Sequence, residues 1–420
     1  MLAQLLKKFF KNIKNIKNIK NIKNTICKHH DYHNFNKKSI NIKHVSIYNK
    51  KTVSVSEIPK VTQNSIMSSN VSKMTTRLNH ADTEAITHLD LLIYDSITRD
   101  DDITDKEILE KYSKEQIEDR KKVLISYREK LAHLKKLPLI KQRTTEWFNA
   151  RKSRLTASDL DDAIKNNCLK LAKKKAGIVK DTTNYSTIPP LKWGTMFESM
   201  AMRCYSQKLK DIGISEFGLI EDEINEHFGA SPDGINDMGI MIEIKCPFSR
   251  KIIDGEIPQK YFMQIQGQLA VCYLNECDYI ECNFKTYDSA YKYIESIENE
   301  YGNKKVNHGI IAEYKNDETD EYEYLYSDPY LKASHVFDNI NKQMNEYEKT
   351  NNTTFLKVTP WRLEEMNIQR VYFNEADWKD TLPKIDKFWE KVEECKLLPI
   401  EEHVVKTIVK QSIKFIEDDD

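Results

Sequence analysis

The stretch "ASPDGINDMGIMIEIKCPF", residues 230–248, constrains the fold more than any other part of the chain. Its second half alternates: Ile240, Ile242 and Ile244 face one way, and Met241, Glu243 and Lys245 face the other. A strand this apolar is built for burial, and Pro247 ends it because proline cannot donate to a ladder. Ahead of it, Gly234, Asn236 and Asp237 form a turn, so the chain doubles back there. That geometry predicts Asp233 within roughly 5–8 Å of Glu243, the range of opposed or diagonal strand neighbours. Two carboxylates so close repel each other unless a cation neutralises them. Hard oxygen ligands suit Mg²⁺, with Mn²⁺ as a substitute. Lys245, on the same face, is then placed to orient or deprotonate an attacking water, or to neutralise charge at a phosphorus.

A Glu-x-Lys triplet alone carries little weight, because Glu313, Tyr314 and Lys315 repeat it and cross-strand salt bridges explain most such triplets. Two neighbouring segments raise its significance. Upstream, Phe197, Met200, Ala201, Cys204 and Tyr205 form an apolar helical stripe with Glu198 at its edge. Gly194 is expected to allow close backbone approach at that helix's start. Glu198 reads either as a dipole partner near a helix start or as a third carboxylate of the site. Downstream, Ile265, Leu269 and Cys272 are the buried side of a helix, while Tyr261, Gln264 and Gln268 share the opposite side. That polar row either faces solvent or faces the carboxylates.

Composition bounds the rest. The 420 residues can bury a large core, and no apolar run is long enough to cross a membrane as a helix. Formal net charge is zero, yet residues 1–60 hold fourteen lysines against Asp31 and Glu57. The repeat "KNIKNIKNIKNIKN" has a period of three that matches neither helix nor strand. A disordered basic tail over residues 1–85 is therefore expected, able to add nonspecific phosphate contacts. A mitochondrial address is an alternative reading of that acid-poor start, although its cations are Lys and not Arg. Cys27, His29, His30 and His33 resemble a metal cluster only superficially. The eight cysteines follow no metal-ligand spacing, which indicates a reducing, intracellular setting, cytoplasmic or nuclear. Residues 86–137 read as a helical lead-in ending near Pro138, 143–285 as closely mixed helices and strands, and 401–420 as a tail.

Five motifs occur in order: Trp147-x3-Arg151-x4-Thr156-Ala157-Ser158, Trp193-Gly194-x3-Glu198, Ser231-Pro232-Asp233-Gly234, Glu243-x-Lys245-Cys246-Pro247 and Tyr261-x2-Gln264-x-Gln266. Together they resemble the YqaJ-type viral recombinases and the phage lambda exonuclease, within the PD-(D/E)XK nuclease superfamily. The resemblance covers 143–285 well and continues faintly to 395; the basic start and the acidic stretch near 315–325 depart from it. It implies an α/β (α+β) domain over 138–400 with a restriction-endonuclease-like mixed central sheet flanked by helices. It also implies a metal-dependent exonuclease working from 5′ ends of duplex DNA in recombination, repair or viral genome processing. An endonuclease, or a non-cleaving DNA-binding partner, is the alternative.

Carried onto this chain, the resemblance makes Asp233, Glu243 and the Ile244 carbonyl metal ligands, with Glu198 holding metal or water. Lys245 then acts at the nucleophile and Gln264 positions it. Arg151, Ser158 and Ser231 form a pocket for a terminal 5′-phosphate. Ser158 and Asp159 also read as the start of a helix, whose free amides attract phosphate. The implied partners are DNA ends, a single-strand annealing protein and two further copies in a homotrimer, inside a host cell if the chain is viral.

Overall fold

The structure, a computed structural model, describes residues 77–398 apart from 139, 143, 180–187, 302–305, 319–320 and 330. The basic tail, the Cys27/His29/His30/His33 group and residues 401–420 lie outside the described residues.

The helical lead-in begins at His80, six residues before the expected position. Helix α1 (His80–Arg99) is capped by Asn79, whose side chain accepts from the Asp82 N–H. Helices α2 (Lys106–Lys111) and α3 (Lys114–Leu134) follow, α3 opening on a capping box between Ser113 and Gln116. Next come α4 (Thr145–Lys152), β1 (Leu155–Thr156), α5 (Leu160–Ala163), α6 (Leu169–Lys175) and α7 (Pro189–Lys208). Five strands succeed them: β2 (Ile214–Ser215), β3 (Ile220–Glu221), β4 (Phe228–Ala230), β5 (Gly234–Asn236) and β6 (Met241–Lys245). The remainder is α8 (Gln259–Cys272), β7 (Glu276–Thr286), α9 (Ala290–Glu295), β8 (His308–Asn316), β9 (Tyr322–Tyr326), α10 (Ala333–Tyr347), β10 (Thr353–Tyr372) and α11 (Glu375–Lys396).

The main sheet has seven strands in the order β2-β5-β6-β7-β10-β8-β9, and a second sheet runs β1-β4-β3. Strands β6 and β7 are parallel and joined through α8, as a parallel pair requires; every other pair in the main sheet is antiparallel. This is the expected mixed sheet flanked by helices. The two ends of the acidic stretch near 315–325 lie on the paired strands β8 and β9.

Strand alternation in β6 serves two cores. Met241 packs with Cys277, Tyr279, Ile265 and Leu269 on one side. Ile240, Ile242 and Ile244 pack on the other with Phe197 and Met200 of α7. Leu89, Ile93, Leu124 and Tyr127 from the lead-in helices lie in that same second core, so these helices are part of the folded body.

A buried charge network ties them down. Arg120 of α3 donates to both oxygens of Asp90 (2.7 and 2.9 Å) and to Glu276 (2.9 Å). Arg370 of β10 donates to Asp278 (2.6 Å), Glu276 (2.6 Å) and Asp90 (3.1 Å). Tyr205 donates to Asp278 at 2.6 Å and accepts from the Asn236 amide at 3.1 Å. Burial pushes the Glu276 carboxyl up, but Arg120 and Arg370 outweigh it and hold the group down at about 2.

Removing one partner of such a network strands the others without water. Arg370→Met should therefore destabilise the fold by about 3–5 kcal/mol, read as a shift in urea midpoint. The Glu276 contribution is fully present above its ordinary value of 4.5 and is lost as pH falls towards about 2. Urea midpoints should drop between pH 5 and pH 2, and drop less steeply in Glu276→Gln.

Candidate active site

The β5–β6 hairpin carries the two acids. Its register pairs Gly234 with Ile242, so Asp233 stands across from Glu243 one step further out. Asn236 shapes the turn by accepting the Met238 and Ile240 N–H groups at 3.0 and 3.1 Å. Gly239 completes it with φ +84°, and a Cβ there would sit 2.5 Å from the Tyr127 carbonyl carbon. The hairpin is thus seated against α3.

Glu243 is fully buried at the centre. One carboxylate oxygen accepts from the Lys245 ammonium and from the Gln264 amide at 2.7 Å; the other accepts from the Gln268 amide at 2.8 Å. Gln264 and Gln268 are one helical turn apart on α8, so the polar row faces the carboxylates and not solvent. Tyr261, on the same row, places its ring 5.0 Å from the Lys245 ammonium. Asp233 accepts the Ile244 N–H at 2.7 Å.

Electrostatically the site is overloaded with negative charge. Burial, then Glu243, then Glu198 push the Asp233 carboxyl well above its ordinary range, and Lys245 and the Ile244 N–H only partly oppose them. Burial would lower the Lys245 ammonium, but Glu243 and Asp233 raise it, so it stays charged. Glu198 is half-buried on α7, near enough for its charge to act on Asp233 and Cys246.

Among the described residues, no three His, Cys, Asp or Glu side chains are arranged to hold a metal ion by themselves. The donor chemistry still fits a hard divalent cation whose shell is completed by water. Two carboxylates face each other across a hairpin, a third adds its field, and neutralising them removes the repulsion seen at Asp233.

Arg151, Ser158 and Ser231 form a second cluster beside the first. Arg151 donates to the Ser158 and Thr156 hydroxyls at 3.0 and 3.2 Å and stacks over Trp147 at 4.3 Å. The Trp147 indole N–H donates to the Ser231 hydroxyl at 3.2 Å. The two sequence blocks meet because β1 and β4 pair in parallel, Thr156 beside Gly229. Burial pulls the Arg151 guanidinium down and Asp159 pushes it up.

Two expectations need correction. Residues 157–159 form a 3₁₀ turn leading into the four-residue α5, and Asp159 caps nothing, because its carboxylate is spent on Thr156 and Lys175. A helix does start there, at Leu160 with Asp159 in the cap position, but no side-chain cap bond forms. Gly194 is not at a helix start: α7 begins at Pro189, and a Cβ on Gly194 would meet nothing within 4 Å. Glu198 accordingly sits mid-helix, so the dipole reading falls away. Sequence reasoning put Gln268 in the polar row, and Trp147 and Thr156 in a motif, without giving any of the three a role; the four-residue step from Gln264 was the signal for Gln268.

Residues 146–275 match the family model described as the YqaJ-like viral recombinase domain. That segment spans both clusters, from Trp147 to Gln268. "Uncharacterized protein R354" of Acanthamoeba polyphaga mimivirus is 25% identical over 299 residues, 62% of this chain and 54% of that protein. The chain thus spans about half the length of that curated relative. Among solved structures, the alkaline exonuclease LHK-Exo from Laribacter hongkongensis matches with a TM-score of 0.34 and 18% identity, covering 64% of this chain and 100% of that one. A phage-related exonuclease from Haemophilus somnus 129PT matches with a TM-score of 0.28 and 9% identity, covering 60% and 96%.

The glutamine pair makes a checkable claim. Gln268→Leu removes the donor to one buried oxygen of Glu243, and an unsatisfied buried acceptor costs about 1–3 kcal/mol. A denaturant midpoint lowered by that amount is expected, with Glu243→Gln in the same background restoring part of it.

Proposed function

We propose that the protein is a Mg²⁺-dependent deoxyribonuclease that hydrolyses phosphodiester bonds of duplex DNA from 5′ ends. The observation that carries this reading is the grip on Glu243: a lysine and two glutamines hold a fully buried carboxylate directly across a hairpin from Asp233. A structural salt bridge would need neither the second acid nor the third carboxylate on α7.

A divalent cation held by Asp233, Glu243, the Ile244 carbonyl and, through water, Glu198 would polarise the scissile phosphate and acidify an attacking water. The chain's own groups do the rest. Lys245, kept charged and packed on Tyr261, sits where it can orient that water and offset charge developing on the phosphate. Gln264 and Gln268 fix the Glu243 carboxylate and so its orientation. Arg151, with the Ser158 and Ser231 hydroxyls, receives the terminal 5′-phosphate, and Trp147 backs the guanidinium. On this reading the exposed strand passes to a strand-annealing partner in recombination, and a homotrimer is the assembly around the duplex.

Asp233→Ala, Glu243→Ala or Lys245→Ala should abolish Mg²⁺-dependent digestion of linear duplex while DNA binding persists in a gel-shift assay. Full activity in Asp233→Ala would remove the assignment.

End recognition is tested separately. A terminal phosphate carries ~1.5–2 charges against one for an internal diester, which favours it in a cationic fork. Loss of one charged hydrogen bond, ~1.5–3 kcal/mol, corresponds to about ten- to a hundredfold in rate. Duplex with 5′-phosphates should be digested that much faster than duplex with 5′-hydroxyls, and Arg151→Ala should erase the difference. Equal rates on both and on closed circles would point to an endonuclease.

A further inference from the structure

A cleft of about 860 Å³ opens at the far end of β7, lined among others by Lys285, Tyr287, Lys292, Ser296, Lys357 and Thr359. No motif of the sequence reading falls on it. Its position relative to the acids follows from the sheet. Cys277 and Tyr279 of β7 share a core with Met241, on the face that also carries Glu243 and Lys245. By alternation Glu281, Asn283 and Lys285 lie on that face too. Lys245 pairs in register with Glu281, and Asn283 and Lys285 are solvent-exposed. A polar strip of sheet thus leads from Lys245 to the cleft.

Distance and charge both suit a nucleic-acid strand. Lys285 is four residues beyond Glu281, ~13 Å at the rise of a strand. One strand of duplex DNA advances 3.4 Å per nucleotide, so the cleft lies about four nucleotides from the reacting phosphate. Lys292 already neutralises Asp288 at 2.8 Å, leaving Lys285 and Lys357 against Glu295. The Tyr287 hydroxyl donates to Ser296 at 2.8 Å, and its ring lies 5.5 Å from the Lys285 ammonium, which fixes the polar wall from which Lys285 projects.

We infer that this cleft is a second phosphodiester subsite, gripping the DNA backbone about four nucleotides from the scissile bond. It rests on the nuclease reading for the location of that bond. Its function is to hold a strand in register while its end is cleaved, so it acts on affinity for extended DNA.

The test uses the full chain carrying Glu243→Gln, so that binding is read without turnover. Duplexes of about 20 base pairs with a 5′-phosphate are titrated by fluorescence anisotropy over a range of KCl concentrations. One version has native linkages; the other has uncharged methylphosphonates at the third to fifth linkages from the 5′ end. On native DNA, Lys285→Met with Lys357→Met should lower the salt slope by about two and weaken binding on the order of tenfold. Lys285→Arg with Lys357→Arg should restore both. On methylphosphonate DNA the Met pair should lose nothing further. An unchanged slope on native DNA, or an equal loss on both duplexes, would overturn the subsite. Failure of the nuclease reading would appear elsewhere, as wild-type protein that binds DNA with this pattern yet cleaves none with Mg²⁺.

Discussion

The fold depends on two arginines that share three buried carboxylates. Arg120 and Arg370 are 5% and 0% exposed, and Asp90, Glu276 and Asp278 are 0–3% exposed. Two cations against three anions leave an excess negative charge in the interior. Hydrogen bonds from Tyr127 to Glu276 and from Tyr205 to Asp278 spread that excess over neutral donors. Such a network is a poor source of net stability, because desolvation offsets most of the Coulomb attraction. What it supplies is alignment: α1, α3, α7, β5, β7 and β10 meet at one point, and any wrong packing leaves a charge unpaired. Asn236 is the link to chemistry. It donates to Tyr205 while its carbonyl oxygen shapes the turn between Asp233 and Glu243.

A second negative cluster lies at the other end of the same hairpin, and it is managed differently. The first is compensated within the protein by fixed guanidinium forks. At Asp233 the compensation is incomplete: burial, Glu243 and Glu198 all drive its carboxyl towards the protonated form. One ammonium, from Lys245, serves both acids. Donors from Gln264 and Gln268 satisfy Glu243 without adding charge. On the proposed reading, a bound cation would make up this shortfall of positive charge.

How much of this was legible in the chain follows from range. The hairpin, the apolar stripe of α7 and the polar row of α8 are local patterns with periods of 2 and 3.6, and each appears where the sequence places it. The sharing of one core by the lead-in helices was not legible. Arg120 and Glu276 are 156 residues apart, and Asp90 and Arg370 are 280 apart, so no local period announces them. Gly194 was misread because a glycine next to a tryptophan looks like a close approach, while the Pro189 start of α7 places it on an open face. Ser158 and Asp159 do precede a helix, Leu160–Ala163, but no local pattern announces that Lys175 draws the Asp159 carboxylate away from capping it.

The Arg151 cluster and the carboxylate cluster are joined by a very short covalent path. Ser231, which accepts from Trp147, and Asp233 are two residues apart, so their Cα atoms lie within ~7 Å of each other. Pro232 between them fixes its own φ, and Gln142 reaches its carbonyl at 3.4 Å while also bonding the Phe217 carbonyl at 2.7 Å. Strand β4 just before Ser231 pairs with β1, and the hairpin just after Asp233 belongs to the main sheet. The Ser231–Asp233 segment therefore links the two sheets directly. A phosphate bound at Arg151 and Ser231 would be registered directly against the carboxylates, which is the geometric condition for cutting at a fixed distance from a DNA end.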